Sequence, residues 1–127
     1  MLSRLKFAVV ASLLIVSGCN KAKSQCADRL MVLEGNGPTQ LESQWDACVA
    51  KNASRISVNR VSNERLAKIA LELCSDFDSR YAGALRIGPP ELPSEQVDNL
   101  LVYKRENLSR IAISEIYRAR KLGCEAK

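Results

Sequence analysis

The amino-acid sequence predicts an all-α domain, a small irregular bundle of about four helices pinned by two disulfides. Two observations point there. Four segments between residues 26 and 122 carry apolar residues at spacings of three and four, and none alternates convincingly with the period of two that a half-buried strand requires. Four cysteines, Cys26, Cys48, Cys74 and Cys124, are spread across the same segments and form an even set.

The first expected helix is short, about residues 26–34, with Cys26, Leu30 and Leu33 on one face and Gly35-Asn36-Gly37 ending it. The second begins at Pro38-Thr39-Gln40-Leu41-Glu42, where Thr39 and Glu42 have the spacing of a capping box, and it lines up Leu41, Trp45, Cys48, Val49 and Ile56. Ser62 suits the N-cap of a third, with Glu64 favoured in its first turn by the helix dipole. Its stripe runs Leu66, Ile69, Ala70, Leu73, Cys74, Phe77, Tyr81 and Ala84, and Gly83 marks fraying near the end.

Three prolines in Ile87-Gly88-Pro89-Pro90-Glu91-Leu92-Pro93 remove backbone donors and push the residues before them into extended conformations, so this stretch is a rigid connector. Ser94 then caps a long fourth helix that faces Val97, Leu100, Leu101, Leu108, Ile111, Ala112, Ile116 and Ala119 inward. Arg118, Arg120 and Lys121 sit in its last turn, before Gly123. Because this helix is about twice as long as the second, its overhang must be covered by the short first helix or left for a partner protein. A covered core is the preferred expectation.

The residues before this domain have a different character. Met1-Leu2-Ser3-Arg4-Leu5-Lys6 carries two positive charges, and Phe7 to Val16 follows with none. That apolar run is shorter than the roughly 20 residues needed to cross a bilayer core, so it has the form of an export signal. Val16-Ser17-Gly18-Cys19 directly follows and resembles the lipobox of bacterial lipoproteins. The resemblance implies cleavage between Gly18 and Cys19, transfer of diacylglycerol to the Cys19 thiol, and fatty acylation, palmitate included, of the new amino group. It divides the chain into a signal peptide (1–18), a lipidated tether (19–25) and one helical domain (26–127). Two or three acyl chains exceed the single chain that binds membranes only marginally, which makes the anchoring effectively permanent. Asn20 stands where enteric-type sorting would place aspartate to hold a lipoprotein in the inner membrane. The expected location is therefore periplasm-facing, on the outer membrane rather than the inner.

Removing residues 1–18 takes away Arg4 and Lys6, so 19 basic residues become 17 against 14 acidic, and the net charge falls from +5 to +3 over the remaining 109 of 127 residues. Such a modest excess does not point to nucleic acid, but it is compatible with an anionic membrane surface. The tether Asn20-Lys-Ala-Lys-Ser-Gln25 reaches about 20 Å when extended, keeping the domain close to the membrane. In an oxidising periplasm the four remaining cysteines are expected to form two disulfides. Zinc is disfavoured by the absence of histidine and of any Cys-x-x-Cys spacing. If the third and fourth helices fold back across the proline connector, a rise of about 1.5 Å per residue leaves Cys74 and Cys124 some 30 Å apart. This disfavours Cys74 with Cys124 and with it the sequential pattern. Of the two that remain, Cys48 with Cys74, stapling neighbouring helices, and Cys26 with Cys124, tying the ends of the domain, is favoured, and the rival, Cys26 with Cys74 and Cys48 with Cys124, stays open.

Little in the sequence speaks for catalysis. Without histidine, the commonest general base and metal ligand near neutral pH is missing. Glu72, Asp76 and Asp78 are the densest acidic group, and on a continuous helix Glu72 and Asp76 share a face. Beside Arg80 they read as a solvated patch rather than an acid-base or calcium site. Trp45, the only tryptophan, lies on the Cys48 stripe and suits core packing better than ligand stacking. Arg55, Arg60, Arg65 and Lys68 form one basic group and Lys104, Arg105 and Arg110 another, placed to meet lipid headgroups or an acidic partner or simply to aid solubility. No enzyme activity, cofactor, metal or small-molecule substrate is expected. The expected role is a non-enzymatic envelope lipoprotein that binds another protein or stabilises an assembly near the membrane. The alternative is an inhibitor or exclusion factor acting on an incoming hydrolase, phage or conjugation machine.

Overall fold

A computed structural model describes residues 30–88 and 90–123. They form four helices, α1 (Pro38–Ile56), α2 (Asn63–Leu73), α3 (Asp76–Ile87) and α4 (Ser94–Leu122), and no strand occurs among the described residues. The all-α class is as expected. The four helices are not the four expected, however: the described part of the first expected helix is irregular, and the third is divided in two.

The expected first helix is not seen in its described part. Residues 30–34 are irregular, while residues 26–29 lie outside the described residues. A nine-residue helix would be marginal by itself, because nucleation is costly and few internal hydrogen bonds repay it. Instead, side chains of α1 satisfy this backbone. The Gln44 amide Nε2 donates to the carbonyls of Leu33 (2.9 Å) and Gly35 (2.8 Å). Leu33 N–H donates to Ser43 Oγ at 2.9 Å, and that hydroxyl donates to the Met31 carbonyl at 3.2 Å. The segment reverses direction at Gly35, whose φ of +122° suits glycine, before α1 begins.

The expected capping box at the start of α1 does not form. Gly37 is the N-cap and Pro38 occupies the first helical position, where its missing N–H loses nothing. Thr39 therefore lies inside the helix, and the Glu42 carboxylate accepts a hydrogen bond from Tyr81 instead.

The divided helix is the third. Its stripe from Leu66 to Ala84 continues past Cys74, but the chain turns at Cys74 and Ser75. There, bonds from Cys74 N to Leu71 O, Ser75 N to Glu72 O, Phe77 N to Cys74 O and Asp78 N to Ser75 O span three residues rather than four. Asp76 and Asp78 then fall in the first turn of α3, where the positive end of a helix dipole favours carboxylates.

This break decides how α4 is covered. At about 1.5 Å per residue, its 29 residues extend some 43 Å, against about 28 Å for the 19 of α1. The two short helices α2 and α3 both pack on α4, as does α1, so the overhang is met by α3 rather than by an N-terminal helix. The core joins Leu41, Trp45, Val49 and Ala53 of α1, Leu66, Ala67 and Ala70 of α2, Tyr81 and Ala82 of α3, and Val97, Leu101, Leu108, Ala112 and Ile116 of α4. Alanines at the α1 and α2 contacts let those backbones approach closely. Leu100, expected to face inward, is more than a third exposed, and two charged residues, Lys104 and Glu115, are buried on the α4 seam instead.

Arg120 ties the far end together. Its guanidinium donates from Nε to Ser57 O (3.0 Å) and from Nη2 to Asn59 O (2.6 Å) and Val61 O (2.8 Å), and from Nη1 to Asn63 Oδ1. The α1–α2 loop is thus wrapped around one side chain of α4. Gly123 ends that helix in the left-handed conformation, φ +68°, as the sequence suggests. Arg120→Ala should destabilise the fold by about 1–2 kcal/mol, the modest value for charge-assisted bonds at a solvated position. Arg120→Lys should recover little, since an ammonium cannot reproduce the planar fork. A urea midpoint unchanged in Arg120→Ala would show that the loop holds itself.

Candidate functional site

Gly18 and Cys19, the residues on which the lipobox resemblance rests, lie outside the described residues, as do Cys26 and Cys124. Of the expected bridges, Cys48–Cys74 is present, joining α1 to the end of α2 with Cα atoms 6.1 Å apart. It is the one disulfide among the described residues, so the domain is pinned there once rather than twice. Cys74 is fully buried and Cys48 half-buried. The Asn52 amide lies across the bridge, donating to Cys48 O (2.9 Å) with the sulfurs of Cys74 and Cys48 at 3.4 and 3.6 Å, and Arg55 donates to its carbonyl oxygen at 2.7 Å.

Three cross-helix polar contacts run along α1, α3 and α4. Tyr81 Oη donates to Glu42 Oε1 at 2.9 Å, Lys104 Nζ to Asp46 Oδ1 at 2.7 Å, and Arg105 makes a two-pronged pair with Asp78 at 2.7 and 3.0 Å. Burial, first, and then the hydrogen bond and charge of Glu42 push the Tyr81 hydroxyl well above the ordinary tyrosine range. Pairing with Asp78 likewise holds Arg105 more firmly protonated. Each contact sets an acceptor carboxylate against a donor on another helix. The result positions the helices against one another.

The acidic group seen in the sequence is dispersed. Glu72 lies in the last turn of α2 while Asp76 begins α3, so the turn at Cys74 separates them, and Asp78 is engaged by Arg105. No three potential ligands among the described residues are gathered for a metal ion. The second basic group also comes apart: Lys104 is buried on Asp46 and Arg105 is paired with Asp78, while Arg110 remains exposed. Arg55, Arg60, Arg65 and Lys68 are all exposed, around the α1–α2 loop.

Trp45 is buried between Phe77, stacked at 6.4 Å, and Tyr81, tilted at 5.9 Å, and belongs to the same core cluster as Cys74. This places its ring in the core, and no ligand-stacking surface remains on it. A shallow groove between Leu30, Met31 and Leu33 on one side and Glu42, Ser43 and Asp46 on the other is open to solvent.

Sequence reasoning missed the Lys104–Asp46, Arg105–Asp78 and Tyr81–Glu42 contacts. For Lys104 a signal existed, since it falls between Leu101 and Leu108 at the three-four spacing of the inward stripe. Among the described residues no helix is long and apolar enough to cross a membrane. No family model matches the chain, and neither a curated protein nor a solved structure matches it.

Proposed function

We propose that the chain is the precursor of a bacterial envelope lipoprotein. Residues 1–18 direct export and are removed, Cys19 carries lipid, and the helical domain has a non-enzymatic protein-binding or structural role at a periplasm-facing membrane surface, the outer membrane being favoured by Asn20. The observation that carries this reading is the ordered run of Arg4 and Lys6, the uncharged stretch Phe7 to Val16, and Val16-Ser17-Gly18-Cys19. A disulfide inside the domain suits an oxidising compartment. The pairing of Cys26 with Cys124 belongs to the same proposal and would join the two ends of the domain. Residues available for catalysis are few: histidine is absent, and the half-buried carboxylates Glu42, Asp46 and Asp78 serve as acceptors between helices.

The test is metabolic labelling with a fatty-acid analogue. The wild-type chain should take up label at Cys19, and Cys19→Ala should lose it altogether and remain unprocessed or soluble. Full labelling of the alanine variant would end the lipoprotein reading.

A further inference from the structure

We propose that one end of the bundle, formed by the α1–α2 loop and the last turns of α4, rests on an anionic phospholipid surface, a reading built on the chain being anchored at Cys19. Charge is sorted along this molecule. Residues 51–68 carry five positive charges (Lys51, Arg55, Arg60, Arg65, Lys68) against Glu64 alone, and residues 107–123 carry four against Glu115 alone. Residues 69–99 reverse the balance, with six acidic groups and two basic.

Folding separates these stretches in space. Arg120 on Ser57, Asn59, Val61 and Asn63 fixes the two basic stretches at one end. The acidic stretch is drawn toward the other: Tyr81 meets Glu42 in the first turns of α1, and Asp78 meets Arg105 in the first half of α4. The protein is therefore positive at one end and negative at the other, an arrangement that orients it in the field of an anionic surface.

The positive end also presents apolar side chains. Val58 is 66% exposed and Val61 37%, on either side of the exposed Arg60. Valines flanking an arginine fit the bilayer interface, where the branched side chains enter the headgroup layer and the guanidinium binds phosphate. Because Arg120 already holds three carbonyls of this loop, little conformational freedom is lost on contact. With Tyr117, 61% exposed on the last turns of α4, the two valines make a small patch set among basic groups, a composition that suits the headgroup layer of a bilayer more than a protein interface core, from which charge is depleted.

The path of the chain allows both contacts at once. After reversing at Gly35, the N-terminal segment is bonded at Met31 to Ser43, and Ser43 to Ile56 is about 20 Å along α1. The eleven residues from Leu30 back to Cys19 span up to about 36 Å, so the lipid and the loop can reach one bilayer.

The experiment places a benzophenone amino acid at position 58, or at position 103 on the first half of α4, in the full chain. Each protein is irradiated with vesicles of phosphatidylcholine alone or containing phosphatidylglycerol. Lipid adducts should form at position 58 on the anionic vesicles, well above those at position 103. They should fall about thirtyfold when Arg60→Glu and Arg65→Glu are introduced together, the loss of two basic groups at about one kcal/mol each near the surface. Equal adducts at 58 and 103, or adducts at 58 that ignore lipid charge, would overturn the proposal. Irradiation in cells that yields protein adducts at 58 instead of lipid would overturn it in favour of a protein partner. Intact mass of the same samples reads the Cys19 lipid separately: its absence overturns the anchor, while charge-dependent adducts at 58 still decide the surface.

Discussion

Replacing Cys48 and Cys74 together with alanine is expected to remove about 3.5 kcal/mol of stability. The bridge closes a loop of sequence separation 26, and the estimate comes from loop-closure entropy in the unfolded chain. For a domain of this size that loss corresponds to a fall of roughly 15–25 °C in Tm, a large part of a typical margin of about 5–15 kcal/mol. The structure adds a local contribution. Asn52 is held by Cys48 O and Arg55 and donates toward both sulfurs, so losing the bridge also loosens the place where α1 meets the turn that begins α3. Thermal melting of the double variant, compared with wild type, reads the effect, and a Tm within a few degrees of wild type would show that the core alone fixes this junction. Non-reducing peptide mapping of the wild type should recover a linked Cys48–Cys74 peptide. A Cys26–Cys124 peptide is expected beside it, and Cys26 recovered as a free thiol would sink that second pairing.

The Cys48–Cys74 bridge was legible only in part: a helical ruler argues against Cys74 with Cys124, and stapling of neighbouring helices favours Cys48 with Cys74, but the pattern of Cys26 with Cys74 and Cys48 with Cys124 satisfies the same ruler. The end of α4 was legible for a local reason, Gly123 just past its last turn, whereas the caps expected at Thr39 and Ser94 are replaced by Gly37 and Pro93, with no side-chain cap at either helix start. The turn at Cys74 was not legible. Its residues include neither glycine nor proline, and the apolar period runs through Leu66, Ala70, Cys74, Phe77 and Tyr81 without interruption, so a continuous helix and a broken one have the same pattern. The remaining cue is the pair Asp76 and Asp78 after Ser75, which suits a helix start as well as it suits a solvated face. Residues 30–34 misled in the opposite direction. Their three-residue spacing of Leu30 and Leu33 is helical, but Ser43 and Gln44 supply tertiary partners for that backbone, and such partners cannot be seen from the segment itself. Likewise Lys104 and Arg105, adjacent and both basic, looked like one surface group. One points into the seam toward Asp46 and the other lies across it toward Asp78, a division set by the 100° step between helical neighbours.

The Lys104–Asp46 pair should respond very unequally to removal of its two members. The Lys104 side chain is 7% exposed and its ammonium rests on Asp46 Oδ1 at 2.7 Å, whereas the Asp46 side chain is 36% exposed. Asp46→Ala leaves a desolvated positive charge facing an apolar core, and the cost of breaking such a pair is about 3–5 kcal/mol when both groups are buried. Partial exposure of Asp46 admits water to the site, so about 2–3 kcal/mol is expected here. Lys104→Met removes the buried charge itself and keeps a flexible apolar stem of similar reach between Leu101 and Leu108. The carboxylate left behind can be hydrated, so that variant should lie within about 1 kcal/mol of wild type. The double variant Asp46→Ala with Lys104→Met should recover most of the loss seen in Asp46→Ala alone, which makes the coupling between the two sites directly measurable. Urea unfolding of the four proteins checks this through midpoints at constant slope. Equal losses in the two single variants would mean that attraction within the pair, rather than relief of a buried lysine, is what holds α1 against α4.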